Sequence, residues 1–472
     1  MAGDRCRLWI VLWSGLLVLP AVPLLAAQDR EEESVDRPRN IVLCLDGTWN
    51  STYDEAQRDD GSKVLKPTNV LKLCRSVEPR GPQNGREQIA FYQTGVGSLP
   101  EYPGTPNHLL HVSDKLLGGA YGAGFEANVE DALEFLVLNH RPGDKVFIFG
   151  FSRGAATARA VTRFIGWAQG LPSKDDAYYL PVLFREFVSS KGEAKIGDVL
   201  EEINHPKKPA SGKAQEEPRQ RLKPLKKVEV EYLGVWDTVM ALGARFKAKG
   251  ATTASPSQSF YLDRQPAPCV RHARQALAID EARYDFRPEV WSGHADDQKL
   301  EQRWFVGVHS NVGGGYVKDG LANRTFKWIL KAAEEHGLEV DSHFVEHYPA
   351  PLWANIYDSS STLYRTLDSL RGRSGRGQRC LIGRPESANL SLDPSVIQRM
   401  ELDPSKLGGK AYRPENVLLF LACQPDLDRY LAGLVGPDDH DLKEDETKLP
   451  SDVLKKIAEL RPECGKRLKS CD

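Results

Sequence analysis

The sequence carries no surplus of either charge: 63 basic and 65 acidic side chains leave a formal net charge of −2. A nucleic-acid-binding domain is expected to present a strongly basic face, so a nucleic-acid partner is not expected. The eight cysteines form no close pairs with metal-ligand spacing. No glycine run is followed by Gly-Lys-Ser or Gly-Lys-Thr, which argues against a phosphate-binding loop. His108, His111, His272 and His294 are dispersed along the chain; no metal site and no cofactor is indicated. Beyond residue 27, no stretch is long and apolar enough to span a bilayer. Internal repeats and low-complexity tracts are missing as well.

What is present is an ordinary globular balance, 40% hydrophobic and 27% charged residues in a chain of 472. That supplies a large core, and one large α/β domain with insertions accommodates the length. The N-terminus is organised differently. Arg5 and Arg7 precede an apolar run from Leu8 to Leu25, broken by Pro20 and Pro23, and Ala26-Ala27 follows. Residues 1–27 therefore read as a secretory signal peptide, with an uncleaved N-terminal anchor as the alternative. Residues 28–38 form an acidic linker. This predicts an exported protein, periplasmic or secreted, or one held at a membrane by its first segment. Export permits disulfides. Among the cysteines after Cys6, Cys464 and Cys471 close a short loop and make the best candidate pair. Cys44, in mid-strand, reads as a small buried apolar residue.

From Asn40 the chain alternates between buried strands and helices. Asn40 to Leu45, Ile89 to Gln93, Lys145 to Phe149, Val228 to Val235 and Trp304 to Val308 are strand-like runs. Gly124 to Asn139 has apolar residues at helical spacing, and Ala155 to Trp167 is an alanine-rich helix. The alternation predicts an α/β fold: a mostly parallel central sheet with helices on both faces. Residues 170–226 break the rhythm and read as a polar surface insertion; residues 240–262 read as a loop or flap. The domain is expected to span 39–424, with a charged C-terminal extension over 425–472 that includes a helix from Asp452 to Leu460.

Chemistry concentrates at Gly150-Phe151-Ser152-Arg153-Gly154. A strand precedes it and a helix follows, the setting of a nucleophile elbow. Such a serine needs a base, and the base needs an orienting carboxylate. Asp237 follows the strand ending Gly234-Val235-Trp236, and His309 follows the strand ending Val306-Gly307-Val308. The order Ser, Asp, His is the one this fold uses. The other candidate carboxylates are Asp46, Asp280 and Glu281. An Asp at a strand end also serves as a turn cap, and Ser152 and His309 each have a purely structural reading. For a developing oxyanion, the backbone amide of Arg153 at the helix N-terminus is one candidate donor. Amides of the Asp46-Gly47-Thr48 loop, at Gly47 and Thr48, are the other, and Asp46 would hold that loop.

Four motifs occur in sequence order: Leu45-Asp46-Gly47-Thr48-Trp49-Asn50, Gly150-Phe151-Ser152-Arg153-Gly154-Ala155, Gly234-Val235-Trp236-Asp237-Thr238-Val239, and Gly307-Val308-His309-Ser310-Asn311-Val312-Gly313-Gly314-Gly315-Tyr316. The set resembles the DUF2235 family of α/β-hydrolase-like proteins, as do Ala278-Ile279-Asp280-Glu281 and Phe286-Arg287-Pro288. That family includes the catalytic domains of phospholipase effectors delivered by bacterial type VI secretion. The resemblance implies ester hydrolysis, with Ser152 as nucleophile, Asp237 as orienting acid and His309 as base. It also implies a small-molecule or lipid ester substrate, phospholipid among them, and transient contact with a membrane surface. One position departs: the family's His-Pro-Ser-Val is Asp393-Pro394-Ser395-Val396 here. The open alternatives are an exported esterase or peptidase on non-lipid substrates, and a binding module on a hydrolase scaffold.

Overall fold

A computed structural model describes residues 37–48, 50, 54–57, 60–80, 85–95, 120–205, 221–240, 259–359, 379–381, 389–434, 448–464 and 466. The proposed signal peptide, most of the acidic linker and most of the 240–262 flap lie outside these residues.

Strand β1 (Asn40–Leu45) is buried along its whole length, as a strand covered on both faces must be. Its side chains alternate: Ile41, Leu43 and Leu45 enter one apolar core, Val42 and Cys44 another. A two-stranded ribbon, β2 (Glu55–Gln57) with β3 (Lys63–Leu65), stands apart from the main sheet. β1 pairs in parallel with β4 (Gln88–Gln93) on one side and with β5 (Lys145–Phe151) on the other. Beyond β5 follow β6 (Val230–Trp236), β7 (Val270–Ala278), β8 (Lys299–Phe305) and β9 (Leu390–Leu392), each parallel to the last. The sheet order is β4-β1-β5-β6-β7-β8-β9.

Helices cover both faces. α1 (Asn69–Ser76) lies on the face of Val42 and Phe149, contributing Val70 and Leu73. α2 (Ala120–Asn139) covers the other face with Phe125, Val129, Leu133 and Leu136. Beside it lies α3 (Arg153–Ala168), whose buried Ala155, Ala156, Ala158 and Ala160 let it approach the sheet closely. The chain is thus an α/β-hydrolase-type domain, its parallel sheet covered on both faces as the alternating elements predict.

The segment expected to be a polar surface insertion contributes to the core. α4 (Leu180–Ser189) and α5 (Ile196–Asn204) fall within it. Leu180, Leu183, Phe184 and Phe187 form a stripe at helical spacing and are buried against Phe164. The surrounding charges occupy the outer face of the same helices.

After β8 come α6 (His309–Gly313), α7 (Gly320–Glu335) and α8 (Ser342–Glu346). α7 returns to the α1 face through Phe326 and Ile329. A third core joins Leu277 and Trp304 of the sheet to α9 (Pro394–Glu401), α10 (Glu415–Ala422), α11 (Leu427–Ala432) and α12 (Ser451–Leu460). The charged C-terminal extension thus carries an apolar stripe, Val453, Ile457 and Leu460, buried in that core. The expected Cys464–Cys471 pair is not formed: Cys464 is bonded to Cys423, with Cα atoms 5.5 Å apart. The packing of α12 on α10 brings these two helix ends together, and a local loop could not foretell it. Cys380 is also disulfide-bonded. Cys44 is a buried free thiol. Among the described residues, no helix is long and apolar enough to cross a membrane.

Candidate active site

The end of β5 turns directly into α3, and Ser152 occupies the turn with φ 57° and ψ −118°. That is a strained conformation for a residue with a side chain, one that persists where surrounding contacts enforce it. The flanking glycines are required by space. A Cβ on Gly150 would stand 2.7 Å from Ala155 Cα, and one on Gly154 would overlap the carbonyl oxygens of Leu45 and Asp46. The turn is tied to its neighbours: the Ser152 amide donates to Trp236 O at 3.0 Å, and the Val239 amide donates to Ser152 O at 3.3 Å.

Asp237 follows β6 immediately and has a positive φ of 43°. Its carboxylate is fully buried and satisfied on both oxygens. Oδ2 lies 2.6 Å from His309 Nδ1, and Oδ1 accepts from the Ala278 amide at 3.0 Å. Arg379 completes the clamp, donating to Oδ1 at 2.6 Å and to Oδ2 at 2.9 Å. Its guanidinium also donates to Ala278 O and Phe286 O. Burial works to raise the Asp237 pKa, but the Arg379 charge and the His309 hydrogen bond outweigh it. The carboxyl is held well below its usual range. Arg379 was not identified from sequence. It sits 142 residues from its partner in a Gly- and Arg-rich stretch with no local pattern.

His309 opens α6 and is 4% exposed. Its ring lies 4.6 Å from that of Phe151, the residue before Ser152, and meets Phe286 edge-on at 5.0 Å. Gly313 is required here because a Cβ would overlap the Phe151 ring. Burial lowers the imidazole pKa below its usual 6.5, and the Asp237 hydrogen bond and charge oppose that only in part.

The other candidate carboxylates serve the backbone. Glu281 accepts from the His309 amide at 3.2 Å, is paired with Arg283, and receives the Ser359 hydroxyl at 2.9 Å. Burial would raise its pKa, but Arg283 holds it at about 2. Asp280 accepts from the Gly307 amide and the Tyr412 hydroxyl. Asp46 accepts from the Gly47 amide at 2.7 Å, Thr68 Oγ1 at 2.6 Å and the Tyr92 hydroxyl at 2.7 Å. Burial nonetheless raises it to about 6. Asp393, standing where the resembled family has histidine, caps α9 by accepting from the Ser395 amide.

The Asp46-Gly47-Thr48 loop adjoins the elbow: a Cβ on Gly47 would stand 3.2 Å from Ser152 Cβ. The Gly47 amide is already given to Asp46. Thr48 Oγ1, in contrast, is buried with no hydrogen-bond partner. Arg153 is the first residue of α3, where the helix amides and the positive end of the helix dipole point outward.

Of the histidines expected to be dispersed, His272 lies against another, His336, and a further pair forms elsewhere. His343 and His347 form an i, i+4 pair, with rings 4.7 Å apart. His272 stacks on His336 beside Glu231, the one group of three metal-capable side chains among the described residues.

Comparison with known proteins places these features in a family. Residues 39–332 match the family described as "T6SS, Phospholipase effector Tle1-like, catalytic domain". An uncharacterized protein of Saccharomyces cerevisiae, YEL023C, is 26% identical over 408 residues, covering 79% of this chain and 53% of its own. The chain thus spans about half the length of that curated relative. An uncharacterized protein from Pseudomonas aeruginosa is similar in structure with a TM-score of 0.36 and 15% identity, over 94% of this chain and 65% of its own. The Tle1 effector bound to the VgrG spike of the type VI secretion system gives 0.30 and 19%, over 59% and 51%. Because the family match takes in more than half of the sequence, including β1, the elbow, Asp237 and His309, the chain belongs to the Tle1-like phospholipase effector catalytic-domain family.

Proposed function

We propose that this protein is a serine hydrolase that cleaves carboxylic esters of lipids, phospholipids among them, through an acyl-enzyme on Ser152. The observation that carries this reading is the buried 2.6 Å Asp237–His309 contact beside a serine in a glycine-bracketed, positive-φ turn. A carboxylate on Nδ1 fixes the imidazole tautomer that leaves Nε2 as the base. His309 Nε2 takes the Ser152 proton as Oγ bonds to the substrate carbonyl carbon. The oxyanion is met by the Arg153 amide and by the unpartnered Thr48 hydroxyl with its loop. Collapse breaks the bond to the alcohol, which leaves with the proton from His309. Water, deprotonated by the same imidazole, then releases the acid and restores Ser152.

Lipid as substrate class is supported by the family description and by a cleft of about 530 Å³ walled in part by residues 316–320, which follow the helix that His309 opens. Leu65, Pro67, Tyr316, Val317, Tyr348 and Trp353 are among its walls. Leu65, Val317 and Trp353 are three of the seven exposed large hydrophobics among the described residues, Trp353 at 58%. Their gathering on one rim suits contact with acyl chains or a lipid surface. The apolar N-terminal segment fits export to the periplasm or beyond.

The test is release of fatty acid from phosphatidylethanolamine–phosphatidylglycerol vesicles, read by mass spectrometry, with an acid quench to trap acylated Ser152. Release should fall by about 10³-fold or more in Ser152→Ala. Undiminished release in that variant would end the serine mechanism. Hydrolysis of short soluble esters but not of vesicles would end the lipid assignment alone.

A further inference from the structure

At the far end of the sheet, the starts of β6 and β7 meet the end of α7. Glu231 is the second residue of β6 and Asp237 follows that strand directly. At roughly 3.3 Å per strand residue, Glu231 stands about 20 Å from the catalytic edge. His272 lies near the start of β7, opposite Tyr232 in the ladder. His336 is the C-cap of α7. The two imidazoles lie face to face, with centroids 3.6 Å apart and planes inclined by 22°. His336 Nδ1 is 4.0 Å from Glu231 Oε1. One donor atom from each of the three side chains lies within 4.8 Å of the others, and all three side chains are half-buried.

We propose that Glu231, His272 and His336 form a binding site for a divalent transition-metal ion, zinc above all, that ties β6, β7 and the end of α7 together.

Two imidazoles and one carboxylate suit zinc, and three protein ligands leave a fourth position for water. Zinc–ligand bonds of 2.0–2.1 Å at tetrahedral angles place donors roughly 3.3 Å apart. The longest separation must therefore close by about 1.5 Å, and because an imidazole nitrogen donates in the plane of its ring, at least one of the two stacked rings must turn out of the stack for both lone pairs to converge on the ion, a rotation open to half-buried side chains. The end of α7 presents the negative pole of its dipole, which favours a cation. Burial lowers the pKa of both rings, helped at His272 by the neighbouring His336 and at His336 by Lys145 and Lys299. Neutral imidazole is the form that binds metal.

The surroundings set the affinity. Lys145 Nζ stands 3.8 Å from Glu231 Oε1 and donates to His336 O, and Arg271 Nη1 stands 3.7 Å from Glu231 Oε2. Lys299 faces His272 in the ladder. These cations neutralise Glu231 in the metal-free protein. The Lys145 and Arg271 side chains are 35% and 54% exposed, so both can turn into solvent as an ion enters. Their repulsion should weaken zinc binding, and Lys145→Gln should tighten it.

The experiment treats the full chain with EDTA, then titrates Zn²⁺ by calorimetry and Co²⁺ by visible absorption. One equivalent should bind, with the intense visible bands of four-coordinate cobalt. His272→Gln and His336→Gln should each weaken binding roughly tenfold or more, while labelling of Ser152 by an active-site probe stays unchanged. Glu231→Gln, which alters one atom, carries the test if a histidine variant fails to fold by circular dichroism, and it too should lose about tenfold. No zinc binding by the unaltered chain, or equal binding by these variants, would overturn the assignment.

Discussion

Replacing Arg379 by methionine removes the cation that clamps Asp237 while keeping an unbranched side chain in its place. The Arg379 and Asp237 side chains are 4% and 0% exposed, so solvent cannot replace the lost partner. Breaking a buried pair from one side costs about 3–5 kcal/mol, because the remaining charge is left uncompensated. The guanidinium also satisfies the carbonyls of Ala278 and Phe286, which places the expected loss toward the upper part of that range. The pH dependence gives a sharper test. In the native protein the Asp237 pKa is depressed, so its stabilising contribution is complete above the unfolded value of about 3.9 and is lost as pH falls through the folded one. Without Arg379, burial dominates, the pKa rises and that contribution disappears. The stability gap between the two proteins should be widest at pH 7 and narrow toward pH 3. Guanidinium denaturation followed by circular dichroism across that range measures it. Equal midpoints at pH 7, or a gap that does not change with pH, would show that Arg379 does not hold the Asp237 charge in the fold.

Asp46→Asn tests the opposite case. Burial raises this carboxyl to about 6, so the folded state holds the proton more tightly. Its contribution is complete below about pH 3.9 and is lost as pH rises through 6, on the order of 3 kcal/mol across the window. Denaturation midpoints of the variant should be flatter than those of the native chain between pH 4 and pH 6. Thr48→Val removes the unpartnered buried hydroxyl of the loop that adjoins the elbow through Gly47. On a soluble chromogenic ester kcat should fall about 10²-fold with KM little changed, and Thr48→Ser should restore it. Loss of the Cys423–Cys464 bond, which closes a 41-residue separation, should cost about 4 kcal/mol by chain entropy, read as a lower midpoint in Cys423→Ala.

The parts of this structure legible in the sequence are those with a local signature. β1 and β5 are continuous apolar runs because each is covered on both faces. The elbow declares itself because contacts with Ala155 and with the carbonyls of Leu45 and Asp46 leave no room for side chains at Gly150 and Gly154. Asp237 and His309 stand at strand ends in the order the fold uses, and the sheet brings them together. Arg379 carries no such signature: only the tertiary fold gives it a partner. Cys464 failed for the same reason, since helix packing rather than loop length selects Cys423. α4 is different. Leu180, Leu183, Phe184 and Phe187 were readable as an amphipathic stripe, but the charges around them hid it. The stacked His272 and His336 come from separate elements, which sequence spacing cannot reveal.

Activation of Ser152 is tested by covalent labelling of the full chain with a fluorophosphonate probe, the labelled residue being mapped by mass spectrometry. A single serine, Ser152, should be modified, with labelling abolished in Ser152→Ala and reduced by several orders of magnitude in His309→Ala. Absence of labelling in the folded native protein, with or without lipid vesicles, or labelling that survives His309→Ala undiminished, would rule out a Ser152 nucleophile activated by His309.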